Sequence, residues 1–399
     1  VLDKRQALNG KPGVHAFIIG VSAYEHLPGG TGIPMANSYG MKQLTSAALS
    51  AYALYDWLIT YQVSLPLPLA TVRLLLSPSA KEIAKLPVLS LLKTDCSRNN
   101  FMTQAYEWRE DASKNQNDMT LFYFVGHELS PNTPNSTAML MADFGTASAP
   151  LLDKSVEVGN LVAGMMPSNT FSNIARKQLY FVDCCRLSDD EFYRFPSLMP
   201  PQLFDSEFSP KIADDRTVPV FFASIPGTKA CAIPLDKTLF CTSLLDCLTA
   251  FGADYTEDFS PNENRWCVSI HSLVAALDKH MSTWKSIPGG VDQQFTTQGV
   301  SRNALICSLD APPELEGTLE IDPDDALEFA RLEITSPDGI SISVPKPLDP
   351  HPYKCRWKAG FYTLAANVDP PNPQFKDKPP RVYSIEPRSM CFRWKVSMV

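Results

Sequence analysis

The apolar residues of this chain fall into short runs separated by longer amphipathic stretches. Val14–Val21 reads VHAFIIGV and Met119–Val125 reads MTLFYFV. Runs this dense and this short are the pattern of strands buried on both faces. QLYFV at 178–182 and VPVFFAS at 218–224 have the same character, and 71–76 predicts a further strand. Between them the spacing predicts helices over 41–61, 99–115, 156–166, 237–251 and 268–280. In the first, Leu44, Ala48, Ala51, Leu54, Tyr55 and Leu58 recur at three- and four-residue steps. Pro167 stops the third. A short strand exposed on one side is expected at 138–142. Strands alternating with helices predict an α/β fold: an open, mostly parallel sheet with helices on both faces and right-handed crossovers.

After Gly299 the pattern changes. ALICSLD, ARLEITS, GISISV, AGFYTLAAN, RVYSIEP and MCFRWKVSM read as strands separated by Pro, Gly and Asp. Of 34 prolines, 14 lie in the last 99 residues, which marks a boundary there. The expected organisation is an α/β domain over 1–299 and a small accessory β-sandwich over 300–399. Its aromatic residues Trp357, Phe361, Tyr362, Tyr383, Phe392 and Trp394 are expected in its core. There is no tandem repeat. The stretch 187–217 has no period and is rich in Pro and acidic residues, a candidate mobile or cleavable loop.

Composition narrows the function classes. Hydrophobic residues make up 44% and charged residues 20%, which excludes a disordered polyelectrolyte. A net charge of −8 argues against a broad basic surface, so no direct nucleic-acid binding is expected. Ten cysteines without paired zinc-site spacing, and only six histidines, point to a reduced, cytoplasmic chain needing no metal or cofactor. No run of 18 apolar residues predicts a membrane span. The opening VLDKRQALNG lacks the apolar segment of a signal peptide, and the missing initiator Met suits a processed product or a piece of a longer chain.

Two strand ends carry chemistry. MTLFYFV runs into Gly126-His127-Glu128, and QLYFV runs into Asp183-Cys184-Cys185-Arg186. Sites in open α/β sheets gather at the carboxyl ends of strands, so His127 and Cys185 can face each other across a cleft. A cysteine sulfur attacks a carbonyl carbon. Histidine either lowers the thiol's effective pKa or protonates the leaving amine. Backbone N–H groups of Gly126 and Cys185 are the expected oxyanion donors.

With these residues the sequence resembles the caspase-like cysteine proteases of peptidase family C14, which include metacaspases and paracaspases. The family places its histidine in a Tyr-Phe-x-Gly-His turn, here Tyr123-Phe124-Val125-Gly126-His127. Its cysteine follows the next core strand in an Asp-x-Cys-Arg or Asp-x-Cys-His motif, here Asp183-Cys184-Cys185-Arg186. The match makes Cys185, not Cys184, the nucleophile. HAFIIGVSAYEHLPGG and VPVFFASIPGTKACAIP look like bacterial members, and the likeness covers 14–299. It implies a Cys-His endopeptidase acting on protein substrates. The alternative is a silenced caspase fold serving as a scaffold or binding protein, and a further one is another acyl-transfer hydrolase using the same dyad. Members usually carry glycine after the histidine. Here Glu128 stands, able to narrow the cleft, to orient the base, or simply to be solvated.

The resemblance also bears on specificity. Animal caspases select aspartate with arginines, one of them after the first core strand. The matching loop 22–30 has Tyr24, Glu25 and His26 and no arginine. Metacaspases select Arg or Lys with an aspartate two residues before the cysteine, which is Asp183. A carboxylate there pairs with a guanidinium, or else caps a backbone turn. The segment 224–232, which supplies a second acid in metacaspases, has none here. The expected order at the first substrate position (P1) is Arg or Lys, then small or neutral residues, then aspartate. Tyr24, Ala223, Ser224 and Trp266 are candidate pocket residues, Trp266 having a core reading as well. The 223–233 backbone is expected to pair with an extended substrate. In the family the linker after the nucleophile is often cut in maturation, as in a zymogen, and Arg186, Arg194, Lys211 and Arg216 are candidate cut points. Asp189, Asp190 and Glu191 form no calcium loop. Some bacterial members act in stress or antiviral defence under an upstream sensor, which would make the activator a separate protein.

Overall fold

The fold comes from a computed structural model describing residues 2–130, 136–147, 149–185, 200–204, 212–256, 266–286 and 290–399. Two compact units emerge: 1–245 with 281–304, and 246–280 with 305–399. The single boundary expected at 299 is thus replaced by a second unit built from two stretches of chain.

The first unit is an open, mostly parallel seven-stranded sheet flanked by helices. Its strands are β1 (Leu2–Asp3), β2 (Val14–Val21), β3 (Leu69–Ser77), β4 (Met119–Val125), β5 (Lys177–Asp183), β6 (Val220–Phe222) and β7 (Thr296–Gln298). The order is β1-β3-β2-β4-β5-β6-β7, and only the edge strands β1 and β7 run antiparallel. Every residue of β2 and β4 is buried, as their unbroken apolar runs require of strands covered on both faces.

The helices cover those faces. The helix Ala47–Thr60 packs on β2 so closely that a Cβ on Gly20 would lie 2.6 Å from the Ala51 Cβ, and only glycine fits. On the other side, Phe101 and Trp108 of helix Arg98–Asp111 meet Phe17 at ring separations of 5.2 and 5.8 Å. The predicted helix from 41 starts later, at Ala47, because residues before it are held in hydrogen bonds to other loops. Gln43 donates to the Tyr24 and Leu27 carbonyls and accepts the Tyr24 N–H. Buried Glu82 sits where the helix begins. It accepts from the Ala48 N–H at 3.1 Å and from Ser22 Oγ at 2.8 Å, which satisfies a free helix-end donor. The short helices Ala80–Lys85 and Val88–Leu92 were not legible in the pattern.

The second unit holds a sandwich whose two sheets share one apolar core. One sheet orders Tyr353–Lys358, Glu314–Asp322 and Cys391–Ser397. The other orders Ser341–Ile342, Ala330–Thr335, Gly360–Val368 and Lys378–Ile385. Trp357, Tyr362, Phe392 and Trp394 cluster in that core. Phe361 does not: it is 71% exposed, because its neighbour Tyr362 takes the inward position and strand side chains alternate. A third antiparallel sheet joins Ala253–Tyr255, Trp266–Ser269 and Leu305–Ser308.

Candidate active site

The register of the parallel sheet levels the two strand ends. Val125, the last residue of β4, pairs with Asp183, the last of β5. His127 and Cys185 each follow two residues later. Neighbouring strands lie about 4.8 Å apart, so adjacent turns leave the sheet side by side. Both residues line one cavity of about 210 Å³, with Gly126, Asp183 and Cys184.

The histidine is held from behind. Its backbone N–H donates to Tyr24 Oη at 2.7 Å, and the two rings lie 5.0 Å apart. A Cβ on Gly126 would come within 2.8 Å of that same hydroxyl, so the turn needs glycine. His127 Nε2 lies 2.6 Å from the Lys42 carbonyl oxygen. A carbonyl only accepts, so Nε2 carries the proton and Nδ1 is left as the basic atom of the neutral ring. Burial lowers the pKa of the ring, and the Lys42 carbonyl opposes that shift.

Cys185 is in a resting arrangement. Its thiol donates to the Ala230 carbonyl at 3.3 Å rather than to the imidazole. Burial pushes its pKa up to about 11, against the Ala230 hydrogen bond, and the nearby Glu128 and Asp183 charges add to the rise. Glu128, one of whose readings was a solvated carboxylate, is buried, 4% exposed, and accepts from Ser130 Oγ at 3.3 Å. Cys184 is buried too, and the Gly126 backbone acts on its thiol.

Asp183 forms part of the cavity wall and is 2% exposed. Its Oδ2 accepts from Tyr123 Oη at 2.7 Å and from Thr238 Oγ1. Its Oδ1 is buried with no hydrogen-bond partner. Burial raises its pKa to about 6, with both donors opposing the rise. An oriented carboxylate with one unsatisfied oxygen suits a cationic group entering the cavity.

The other expected pocket residues fall elsewhere. Tyr24 is buried behind His127. Ala223 and Ser224 are wholly buried, Ser224 Oγ bonding the Cys184 carbonyl at 3.1 Å and the Ala223 carbonyl accepting from Gln293. Trp266 belongs to the second unit and packs against its sandwich core. The cavity is instead walled by 43–47, 230–232, Pro234 and Thr238. Of these, sequence reasoning named 230–232 within a longer stretch and missed 43–47 and Thr238. Among the candidate cut points, Arg216 is engaged: it pairs with Asp214 at 2.7 Å and donates to the Val162 carbonyl at 3.0 Å. Arg186, Arg194, Lys211 and the acidic run Asp189, Asp190 and Glu191 lie outside the described residues. Among the described residues no group of acids, histidines and cysteines is placed to hold a metal. In the same residues no helix is long and apolar enough to cross a membrane.

A search of curated proteins found no match. Among solved structures the chain is similar to caspase-1 from Spodoptera frugiperda at 13% identity and a TM-score of 0.41, covering 76% of this chain and 92% of that one. The profile of the caspase domain, peptidase family C14, matches residues 14–295, and the chain therefore belongs to that family of cysteine peptidases.

Proposed function

We propose that the protein is a cysteine endopeptidase in which Cys185 is the nucleophile, His127 the base, and Asp183 the selector of Arg or Lys at P1. The observation that carries this reading is one cavity lined by His127, Cys185 and Asp183, whose carboxylate keeps one buried oxygen without a hydrogen-bond partner. The thiol rotates from the Ala230 carbonyl toward His127, whose Nδ1 takes its proton. The sulfur attacks the substrate carbonyl, and backbone N–H groups beside Gly126 and Cys185 receive the oxyanion. His127 then protonates the leaving amine. A P1 guanidinium or ammonium pairs with Asp183 Oδ1, offsetting a buried polar group left unpaired in the free enzyme. A separate activating protein fits this reading, since the free thiol is protonated and hydrogen-bonded to the Ala230 carbonyl.

That same resting arrangement favours a second reading, a silent scaffold, and one experiment separates the two. Purified protein is offered a positional library of fluorogenic peptides, with Cys185→Ala as control, while iodoacetamide labelling of Cys185 is followed in parallel. Cleavage after Arg or Lys that disappears in the variant is the expected result. Cleavage after Asp or a small residue removes Asp183 from the pocket and keeps the dyad. No cleavage with an alkylatable Cys185 points to a missing activator, and an inert Cys185 leaves the scaffold.

A further inference from the structure

The candidate site contains a second accessible thiol that the proposed hydrolysis does not use. Three cysteines line the cavity, but Cys184 is buried, whereas Cys185 and Cys231 are both partly exposed. The resting Cys185 thiol points at the carbonyl of Ala230, the residue bonded to Cys231. Cys231 lies near enough to raise the pKa of Cys185 further, a lesser contribution beside burial. The loop carrying Cys231 is tied down from outside the cavity, its N–H accepted by Gln293 at 2.7 Å and its carbonyl accepting the Leu239 N–H at 3.0 Å. A nucleophile hydrogen-bonded to the residue before Cys231, in a cavity that Cys231 also lines, is placed for disulfide chemistry.

We propose that Cys231 is the resolving cysteine for Cys185, and that a small hydroperoxide closes a Cys185–Cys231 disulfide across the cavity. The balance is simple. The Cys185 sulfur takes one peroxide oxygen, the O–O bond breaks, and the thiol proton leaves with the other oxygen as water or alcohol. Sulfur is oxidised by two electrons and the peroxide reduced by two, giving a sulfenic acid. The Cys231 sulfur then attacks the sulfenic sulfur. An S–S bond forms, the S–O bond breaks, and hydroxide leaves with the Cys231 proton as water. The bond occupies the nucleophile, closes the cavity to a substrate side chain, and spares Cys185 from irreversible over-oxidation. A dithiol reductant reopens it. Cys184 is a poor alternative because its sulfur is enclosed. The inference needs only two thiols in one cavity and stands whether or not the chain hydrolyses peptides.

The test uses the full chain and hydrogen peroxide. After treatment, free thiols are blocked with iodoacetamide, the protein is digested, and linked peptides are identified by mass spectrometry with and without dithiothreitol. A reducible Cys185–Cys231 link is expected in the native protein and in Cys184→Ser. Cys231→Ser is expected to lose the link and to accumulate Cys185 sulfinic acid, so that dithiothreitol no longer restores its labelling. A native protein whose Cys185 ends as sulfinic acid, links to Cys184, or does not react overturns the proposal. Cys231→Ala repeats the test should the serine variant misfold.

Discussion

The parallel sheet of the first unit and the sandwich of the second bury aromatic residues by opposite rules. In β4 all seven residues are buried, so both faces are covered and even its polar groups, Thr120 and the Tyr123 hydroxyl, lie inside. In Cys391–Ser397 burial alternates strictly, with Phe392, Trp394 and Val396 inside and Cys391, Arg393 and Lys395 outside. The first arrangement leaves a strand to carry chemistry at or beyond its end: Asp183 closes β5, and His127 and Cys185 lie two residues past their strands. The second leaves an open polar face along the whole strand, so its sequence marks an inside and an outside but no focal point.

The sharpest way to break this comparison is by parity. Phe122→Ala and Leu121→Ala, on opposite faces of β4, are both expected to lower unfolding free energy, by about 3–5 and 2–5 kcal/mol respectively. Trp394→Ala is expected to cost as much as Phe122→Ala, about 3–5 kcal/mol, yet its neighbour Arg393→Ala should stay within about 0.5 kcal/mol. Urea denaturation of the four variants checks this, and a tolerant position in β4 would undo the distinction.

A smaller effect tests the strand end. Asp183 is shifted from 3.8 to about 6, so the unfolded chain ionises first as pH rises. The sign follows. The native state is not penalised below about pH 4, loses stability progressively up to about pH 6, and carries a constant penalty of about 3 kcal/mol above it. Asp183→Asn lacks this dependence, so the stability of the native chain relative to the variant should fall across that window and then level. A flat difference would mean that Asp183 ionises in the fold as it does in water. Under the proposed function, preference for Arg over a neutral P1 residue should fade as pH drops below about 6, read from the ratio of kcat/KM values.

Smaller again, and confined to the turn behind the base, Tyr24→Phe strips the acceptor from the His127 N–H. Leaving that group unpaired is expected to cost about 1–3 kcal/mol. The circular dichroism spectrum should be unchanged, and the melting temperature lower. A variant as stable as the native chain would show that the N–H finds another acceptor.

How far the sequence could be read depended on the range of the interaction. The runs at Val14–Val21 and Met119–Val125 match their strands residue for residue, because a strand buried on both faces needs only its own composition to declare itself. The helix beginning at Ala47 was placed too early, since Gln43 is held by Tyr24 and Leu27 rather than by its own helix. Tyr24 was expected in the substrate pocket and lies behind His127 instead. A loop's local sequence does not say which side of a turn its ring will face.

By itself the sequence determined the strand–helix alternation, the change of pattern after Gly299, and the two strand ends bearing His127 and Cys185. Each of these is a matter of neighbours in the chain. Only the tertiary structure decided what surrounds the site. The Lys42 carbonyl reaches His127 across 85 residues, Ala230 reaches Cys185 across 45, and Thr238 reaches Asp183 across 55. Such contacts are set by how strands order in the sheet and where their loops return, and no local pattern of apolar and polar residues encodes that.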